Sequence, residues 1–323
     1  MKYDAYFHND FDGHASAAVM LAFLRSRGDD IEHYVPIKYD IIPQWLNGRF
    51  LEKHRLFKGK HNPAIIMDFP YHPQTTFWFD HHIRPFRKPA WEKKFKADKY
   101  KRYDDTYRSA CHLVLDSLIR DFDWKPSKHI KELAKWLDII DFANYKSARQ
   151  TIEMKEPAIQ INNFLEKNNG TLQMSVKMIQ WLSEYSLAEF AAMPKVAKDI
   201  ATMRRDTQKA LDFYRKKLII RGKVMAIDLT GFPYKELGHY APYYLHPKML
   251  YSIRSHPFPG KPTLFHINTG TNPWRRTESK KNIGDLMKKY GGGGHKYVGG
   301  TEINGRPAAL KAVDEMVVFL NKK

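Results

Sequence analysis

Residues 4–25 read DAYFHNDFDGHASAAVMLAFLR, a strand pattern that runs directly into a helix pattern. Asp4–Phe7 predicts a short apolar strand, and Ala15–Arg25 predicts a helix rich in Ala, Leu and Met. Gly13 stands between them, where its freedom at the backbone lets the chain turn sharply. A strand followed at once by a helix is the unit from which parallel, helix-covered sheets are built.

The same alternation continues through the first third of the chain. Further short strands are predicted at Glu32–Ile37, Ala64–Met67 and Thr75–Phe79. From Ser109 the pattern becomes helical. Helices are predicted at Ala110–Arg120, His129–Ile140 and Ser175–Tyr185. The fold class that this order predicts is α/β, with an N-terminal doubly wound parallel sheet.

A second domain is expected after a long helical segment. The stretch Leu187–Lys217 predicts one helix, and a strand at Val224–Leu229 follows Gly222. A chain of 323 residues is long enough for two domains. We therefore expect a first domain, a helical linker and a smaller α/β C-terminal domain, over residues 1–186, 187–221 and 222–323.

Charge and cysteine content limit the partners and the compartment. The chain has 54 Lys and Arg against 35 Asp and Glu, a net charge of +19, which favours polyanions such as nucleic acid, nucleotides or polyphosphate. The single cysteine, Cys111, excludes an intramolecular disulfide framework and a Cys-based zinc cluster. There is no apolar run of about 20 residues and no visible signal core. We expect a cytoplasmic protein that does not enter a membrane.

Three of the predicted strands end in acidic and histidine residues. These are His8, Asp10 and Asp12 after the first strand, Asp68 after the third, and Asp80, His81 and His82 after the fourth. The carboxyl ends of parallel strands meet at one sheet edge, so these side chains would gather in one cleft. Converging carboxylates repel one another unless a cation binds, and mixed oxygen and nitrogen ligands suit Mn²⁺, Fe²⁺, Co²⁺ or Zn²⁺. The pattern indicates a metal site that could act on a phosphate.

Four motifs together resemble one enzyme family. His8-Asn9-Asp10-Phe11-Asp12-Gly13, then Asp68, then Asp80-His81-His82 resemble the first three motifs of the DHH phosphoesterases. Tyr290-Gly291-Gly292-Gly293-Gly294-His295 is similar to the glycine-rich motif of that family's C-terminal domain. That domain occurs in RecJ-type single-strand exonucleases and in nanoRNase/pAp phosphatases. The motifs follow the family's order and span almost the whole chain.

The resemblance implies a site for two Mn²⁺ ions, with Mg²⁺ or Co²⁺ as alternative ions. One ion would be bound by His8, Asp10 and Asp68. The other would be bound by Asp12, Asp68, His81 and an aspartate of a fourth, looser motif. Asp68 would bridge the two ions.

The fourth motif leaves two candidates in this sequence. We prefer Asp138 because an apolar stretch leads into it, and Asp141 is the alternative. A ligand set that includes His14 also stays open. The resemblance further implies that His82 faces the scissile phosphate and that Asp80 orients the histidine pair.

The C-terminal part carries the expected substrate contacts. Four consecutive glycines favour a backbone that approaches another group closely, with amides free to bind an anion. The resemblance implies that a substrate phosphate or terminal nucleotide is bound by Gly292, Gly293, Gly294 and His295. Arg275 and Arg276 are equally placed where relatives carry an arginine that would bind a second phosphate.

Together these features imply a hydrolase acting on phosphoric ester bonds. The expected substrates are short single-stranded oligonucleotides, cleaved in the manner of a nanoRNase or exonuclease by water activated at two manganese ions. The alternative is a phosphatase or phosphodiesterase of small compounds such as pAp, cyclic dinucleotides or polyphosphate. A nucleic-acid-binding protein without catalysis is a third reading, which leaves the acid and histidine set unexplained. The expected partner is a nucleic acid or nucleotide, and a homodimer stays open.

Overall fold

The computed structural model describes residues 1–53, 62–233 and 240–322. The chain divides into two compact units. The first comprises Met1–Asn144 and Lys155–Ile200, and the second comprises Tyr145–Met154 and Ala201–Lys323. The boundaries 1–186, 187–221 and 222–323 remain a prediction.

The described residues form the following strands and helices. In chain order the strands are β1 (Lys2–His8), β2 (Asp30–Ile37), β3 (Ala64–Met67), β4 (Thr75–Asp80), β5 (Lys101–Tyr103), β6 (Ile219–Arg221), β7 (Val224–Asp228), β8 (Tyr251–Phe258), β9 (Lys261–Thr271), β10 (Gly293–Gly294) and β11 (Val298–Asn304). The helices are α1 (Phe11–Ser26), α2 (Ile42–Trp45), α3 (Phe50–Lys53), α4 (Pro89–Lys94), α5 (Ala110–Phe122), α6 (Lys128–Ile140), α7 (Ala148–Glu153), α8 (Pro157–Asn168), α9 (Leu172–Glu184), α10 (Leu187–Ala192), α11 (Pro194–Lys217), α12 (Ala241–Leu245), α13 (Ile283–Lys288) and α14 (Arg306–Asn321). Short 3-10 helices lie at Tyr39–Ile41 and Pro273–Glu278.

The first unit is built on a parallel sheet with the strand order β2-β1-β3-β4-β5. All four residues of β3 are buried, as expected for an apolar strand in the middle of a helix-covered sheet. Helices α1 and α5 contact one face. On the other face Trp45 of α2 and Phe50 of α3 share a core with Ile66 and Trp78. The predicted doubly wound α/β fold is confirmed.

Two of the helices predicted from the sequence differ from those observed, each for a physical reason. Helix α1 begins at Phe11 instead of Ala15, because the Asp10 side chain caps it by accepting a hydrogen bond from the Gly13 amide. The long helix predicted after residue 187 is two helices, α10 and α11. Met193, directly before Pro194, has an extended ψ of 136° and separates them.

The second unit contains a six-stranded mixed sheet with the order β10-β11-β9-β8-β7-β6. Strands β7 and β8 pair parallel, and the other neighbours pair antiparallel. Ile253 and Ile267 of the sheet share an apolar core with Leu286 of α13 and Met316 of α14. The predicted smaller α/β domain is confirmed in its architecture.

Within the described residues, no helix combines the length and the apolar character that a membrane span requires.

Candidate metal centre and substrate site

The acidic and histidine residues of the first unit meet at the sheet edge where successive connections switch from one face of the sheet to the other. Strand β1 leads into α1 on one face, whereas β2 leads into α2 and α3 on the other. The neighbouring strands β1 and β3 therefore flank a crevice at their carboxyl ends, where ligands bind in open α/β sheets. His8 ends β1, Asp68 follows β3, and Asp80 ends β4.

The start of α1 lies very close to the end of β1. Gly13 donates its amide to Asp10 Oδ1 at 3.0 Å. A Cβ atom at Gly13 would lie 2.0 Å from the carbonyl oxygen of His8. Glycine is therefore required here by the close approach of helix and strand. This approach brings Asp10 and Asp12 to the crevice.

Asp12 is held by the first turn of α5. Its Oδ2 accepts a hydrogen bond from the Ala110 amide at 2.6 Å, and its Oδ1 accepts one from the Cys111 amide at 2.9 Å. The first amides of a helix have no partner within the helix, so they suit a carboxylate. Cys111 itself is buried. The contact between Asp12 and these two amides was not predicted from the sequence.

Asp68 follows β3 in a left-handed backbone conformation, with a φ of 56°. This conformation is uncommon outside glycine and marks a constrained turn. The amide of Asp68 donates to the Phe79 carbonyl at 2.9 Å, and Trp78 Nε1 donates to the Phe69 carbonyl at 2.9 Å. These bonds to β4 fix the turn. Asp68 is 1% exposed, and its Oδ2 atom is buried without a hydrogen-bond partner.

The two oxygens of Asp68 face two different groups of potential ligands. Its Oδ2 lies 3.6 Å from His8 Nδ1, which in turn lies 2.6 Å from Asp10 Oδ2. Its Oδ1 lies 3.7 Å from His81 Nε2. Asp68 is therefore placed between a group with His8 and Asp10 and a group with His81.

His81 directs a lone pair at three carboxylates. Its Nδ1 donates to the Tyr107 carbonyl at 3.1 Å, so in the neutral ring Nε2 is an acceptor. This Nε2 atom lies 3.6 Å from Asp12 Oδ2, 3.7 Å from Asp68 Oδ1 and 3.6 Å from Asp141 Oδ2. An acceptor nitrogen surrounded by acceptor oxygens, beyond hydrogen-bond distance, leaves a place suited to a cation. The ligand atoms of Asp12, His81 and Asp141 all lie within 4.8 Å of one another.

His82 is held by the carboxylate that precedes the histidine pair. Its Nδ1 lies 2.7 Å from Oδ1 of Asp80, which is fully buried. Burial alone would lower the pKa of His82, but the hydrogen bond to Asp80 and the surrounding carboxylates raise it above its ordinary value. His82 therefore retains a proton more readily than a free imidazole.

The electrostatics of the cluster are unfavourable without a cation. Burial, followed by repulsion from neighbouring carboxylates, raises the pKa of Asp12 and Asp68 well above the ordinary value. The pKa of Asp141 is also raised, chiefly by burial. Asp10 differs, because its contacts with His8 outweigh burial and lower its pKa.

The geometry distinguishes the two candidates of the fourth motif. Asp138 accepts a hydrogen bond from Ser109 Oγ at 2.8 Å and lies 2.6 Å from His112 Nδ1. Asp141 instead lies beside His81 in the cluster. Asp141 thus lies in the cluster, whereas the carboxylate of Asp138, the candidate preferred from the sequence, contacts Ser109 and His112.

His14 belongs to none of the possible ligand groups found among the described residues. It is fully buried, and its Nδ1 donates to the Asp10 carbonyl at 2.6 Å. Burial lowers the pKa of His14 to about 4. The ring packs edge-to-face on Phe7. These contacts make His14 a support for the start of α1.

Tyr39 contacts the cluster and was not identified from the sequence. It begins the 3-10 helix after β2, and its hydroxyl lies 3.2 Å from His82 Nε2. Its ring stacks on Phe69 with centroids 5.2 Å apart and meets His8 edge-to-face at 5.0 Å. Burial, then the charges of nearby carboxylates, raise the pKa of Tyr39, so its hydroxyl stays protonated. Its position directly after a strand's carboxyl end was the available signal.

The glycine-rich segment forms a hairpin with β11. A Cβ atom at Gly292 would lie 2.2 Å from the Gly300 carbonyl oxygen, and one at Gly294 would lie 2.3 Å from the Val298 carbonyl oxygen. Gly293 and Gly294 pair with the Gly299–Gly300 segment of β11. The close approach predicted for these glycines thus occurs within the hairpin itself.

Two backbone amides of this segment already donate hydrogen bonds to carbonyl groups of the chain, so they are less suited to the predicted anion site. The Gly292 amide donates to the Met287 carbonyl at 3.0 Å, and the His295 amide donates to the Val298 carbonyl at 2.8 Å. The His295 side chain is exposed at the turn. Binding through the His295 imidazole is therefore better supported than binding through the amides of Gly292 and His295.

Arg275 and Arg276 have different surroundings. Arg275 forms a two-pronged ion pair with Glu278, at 2.7 Å from Nε and 2.5 Å from Nη2. The guanidinium of Arg276 lies 5.2 Å from the ring centroid of Tyr297. Arg276 is thus the freer of the two for an added phosphate.

A polar face of the second sheet was also missed by the sequence analysis. By strand register, Arg254 lies opposite Asn268 and His256 lies opposite His266. Arg254 is only 2% exposed, and its burial lowers its pKa. Asn268 Nδ2 lies 3.4 Å from His256 Nε2. Arg254 and His256, two residues apart and therefore on one face of β8, were the signal for this face.

Comparison with solved structures finds similar folds over nearly the whole chain, although the sequence matches no protein-family model and no curated protein. A pGpG-specific phosphodiesterase, PggH from Vibrio cholerae, is 18% identical, with a TM-score of 0.75 and coverage of 99% of each chain. The DHH domain of a member of the s1p family of ribosomal proteins is 14% identical, with a TM-score of 0.55 over 99% of this chain and 87% of that one. RecJ of Thermus thermophilus in complex with Mg²⁺ is 14% identical, with a TM-score of 0.50 over 98% of this chain and 49% of that one. At these identities the likeness concerns the fold.

Proposed function

We propose that this chain, which has the fold of the DHH-domain proteins, is a hydrolase that cleaves phosphodiester bonds in short single-stranded oligonucleotides with divalent cations. The observation that carries the proposal is the arrangement around His81 and Asp68. The Nε2 atom of His81 and the oxygens of Asp12, Asp68 and Asp141 share one small space, and the other oxygen of Asp68 faces His8 and Asp10. This donor set fits a pair of cations bridged by one carboxylate.

The residues divide into two proposed ligand sets. One cation would be held by His8, Asp10 and Asp68, and the other by Asp12, Asp68, His81 and Asp141. We favour Mn²⁺ because mixed imidazole and carboxylate ligands suit it, with Mg²⁺ or Co²⁺ as alternatives. When bound, such ions supply Lewis acidity toward phosphoryl oxygens and lower the pKa of water.

The side chains around the cations have separate tasks in this proposal. The Tyr107 carbonyl fixes the ring of His81, so that Nε2 faces the carboxylates. Asp80 holds His82 at Nδ1 and favours its protonated form. Protonated His82 would stabilise negative charge that develops on the phosphoryl oxygens. Asp80 acts through His82 and does not touch the substrate.

The second unit would bind the remainder of the substrate. The exposed His295, with the hairpin of Gly292, Gly293 and Gly294, would contact a terminal phosphate or nucleotide. Arg276 offers a guanidinium without the competing carboxylate that occupies Arg275.

Short substrates are favoured by one observation. Over 99% of its length the chain is similar in fold to a solved phosphodiesterase specific for pGpG, a dinucleotide. The net charge of +19 suits a polyanion of any length. Small phosphate compounds such as pAp, cyclic dinucleotides or polyphosphate are the second candidate, because the same site chemistry can act on phosphate esters and on phosphoanhydrides.

A substrate panel with added Mn²⁺ tests this function. It should include RNA of two to five nucleotides, a 24-nucleotide single strand, pAp, a cyclic dinucleotide and polyphosphate. We expect hydrolysis of the shortest RNAs, and loss of hydrolysis when a chelator is added. Processive degradation of the long strand would indicate an exonuclease. Binding of nucleic acid without cleavage of any member would contradict the proposal.

Replacing Asp68 with alanine is the sharpest test of the site. Both proposed cation positions use this carboxylate, so we expect hydrolysis to fall by more than about 10³-fold. Circular dichroism and thermal unfolding would show that the variant still folds. Hydrolysis close to that of the wild type would refute the metal assignment.

A further inference from the structure

An exposed arginine, Arg87, lies at the mouth of the proposed metal centre. The guanidinium carbon of Arg87 lies 5.8 Å from the ring centroid of Tyr39. Arg87 is exposed and belongs to the loop that follows β4 and begins with His81 and His82. Within the described part of the chain, no carboxylate lies within ion-pair distance of Arg87.

The Tyr39 ring that Arg87 contacts is held in place by residues of the cluster and by Phe69. The Tyr39 ring stacks on Phe69, the residue after Asp68, and its hydroxyl lies 3.2 Å from His82 Nε2. The 3-10 helix that carries Tyr39 follows β2, so its ring reaches the same sheet edge as the cluster. Tyr39 is therefore contacted both by Arg87 and by His82, which the proposed function assigns to the phosphoryl group.

We propose that Arg87 and the hydroxyl of Tyr39 form an anion site for a second phosphate of the substrate, adjacent to the bond that is cleaved. This inference rests on the proposed function and specifies its substrate class as oligonucleotides that carry a phosphate next to the scissile diester. A guanidinium binds a phosphate through two parallel hydrogen bonds. The ring beneath it restricts its orientations while leaving its hydrogen-bond donors available. The Tyr39 hydroxyl adds a neutral donor.

The charge pattern of the crevice supports the assignment. The cluster has an excess of negative charge over the positively charged side chains near it. Its carboxylates are those of Asp10, Asp12, Asp68 and Asp141. A substrate with two phosphates needs positive charge outside the cation positions as well. Arg87 supplies this positive charge beside the Tyr39 ring, which contacts His8 and His82. All of these residues belong to the first unit.

The test compares three dinucleotides: diadenylate without a terminal phosphate, diadenylate with a 5′-phosphate, and diadenylate with a 3′-phosphate. We expect the wild-type enzyme to prefer one of the two phosphorylated forms. Arg87→Ala should lower kcat/KM for that form by roughly 10- to 100-fold, mostly through KM. Hydrolysis of the unphosphorylated form and of bis-p-nitrophenyl phosphate should fall less than about threefold. Tyr39→Phe keeps the ring and should cause a smaller loss of the same preference.

The matched control is Arg84→Ala. Arg84 is exposed in the same loop, and among the described residues it forms no ring contact or ion pair. It should leave the preference unchanged. An equal loss on all substrates with Arg87→Ala, no loss, or an equal loss with Arg84→Ala would each overturn the anion site.

Binding measurements separate this inference from the proposed function. Isothermal calorimetry would follow the same dinucleotides with a phosphorothioate linkage in the presence of Mn²⁺. Arg87-dependent binding of a phosphorylated phosphorothioate, with no cleavage of the matching natural dinucleotide in the hydrolysis assay, would support the anion site and refute the hydrolase. Cleavage that is unchanged by Arg87→Ala would refute the anion site and support the hydrolase. If the wild type neither binds nor cleaves, both fail.

Discussion

Replacing Gly13 with alanine tests whether the contact between β1 and α1 sets the metal centre. The new Cβ would lie 2.0 Å from the His8 carbonyl oxygen and 2.7 Å from its carbon, whereas ordinary contacts begin at 3.4 Å. These atoms belong to a strand that pairs with β2 and β3 on its two sides. The start of α1 would therefore move instead, by roughly 1 Å or more.

Such a movement would disturb the contacts of Asp12. The hydrogen bonds from the Ala110 and Cys111 amides are 2.6 and 2.9 Å long and would be stretched. A hydrogen bond to a charged group contributes about 1.5–3 kcal/mol, and forced repacking costs about 1–3 kcal/mol. Alanine gains at most about 1 kcal/mol over glycine within a helix. We expect Gly13→Ala to lower the free energy of unfolding by about 2–4 kcal/mol.

Urea denaturation near neutral pH would measure this change, and hydrolysis at increasing Mn²⁺ would report on the site. The variant should also need a higher Mn²⁺ concentration for half-maximal hydrolysis, since Asp10 and Asp12 would be displaced. Gly170→Ala is the matched control, because no atom lies within 4 Å of a Cβ there. Its free energy of unfolding should change by less than about 0.5 kcal/mol. If the two variants behaved alike in both assays, the reasoning would be refuted.

Two further predictions concern the fourth motif and pH. Asp141→Ala should weaken Mn²⁺ binding by about tenfold or more, whereas Asp138→Ala should mainly lower the melting temperature; calorimetry that gave the reverse order would contradict the assignment. Burial lowers the pKa of His72, whose neutral ring contacts the Asn47 carbonyl and the Gln74 amide. The stability from this neutral ring is full above about pH 6.5 and is lost as the pH falls through the lowered pKa. His72→Gln should therefore flatten the fall of the melting temperature below about pH 6.5, and an unchanged slope would argue against it.

The sequence was sufficient to predict the central strands of the first sheet and insufficient to predict the edge strand β5. Ala64–Met67 is predicted with its observed bounds, because a short run of apolar residues between turn signals is typical of a buried parallel strand. Strand β5 was not predicted. It is Lys101-Arg102-Tyr103, and it is a strand because it pairs with the end of β4, which is a tertiary contact. Local pattern contains no information on such a partner.

The choice between Asp138 and Asp141 shows the same limit within the site. Residues three apart at the end of a helix lie on nearly the same face, so spacing cannot separate them. The separation comes from α5, where Ser109 and His112 bind the Asp138 carboxylate. Asp141, just past the last turn of α6, is left for the cluster. Histidine and aspartate at the other strand ends were predictable because strand direction alone brings them together.

The proposed metal centre is also the place where the fold carries an electrostatic cost. Burial and mutual repulsion raise the pKa of Asp12, Asp68 and Asp141, so that each carboxylate is disfavoured in its charged form. Asp12 receives hydrogen bonds from two amides, but the Nδ1 of His81 donates to the Tyr107 carbonyl, so the Nε2 atom that faces the carboxylates is an acceptor in the neutral ring. The apolar core beneath β1 and β3 must offset this cost when no cation is bound. The arrangement therefore makes sense as a binding site whose stabilising charge comes from outside the chain.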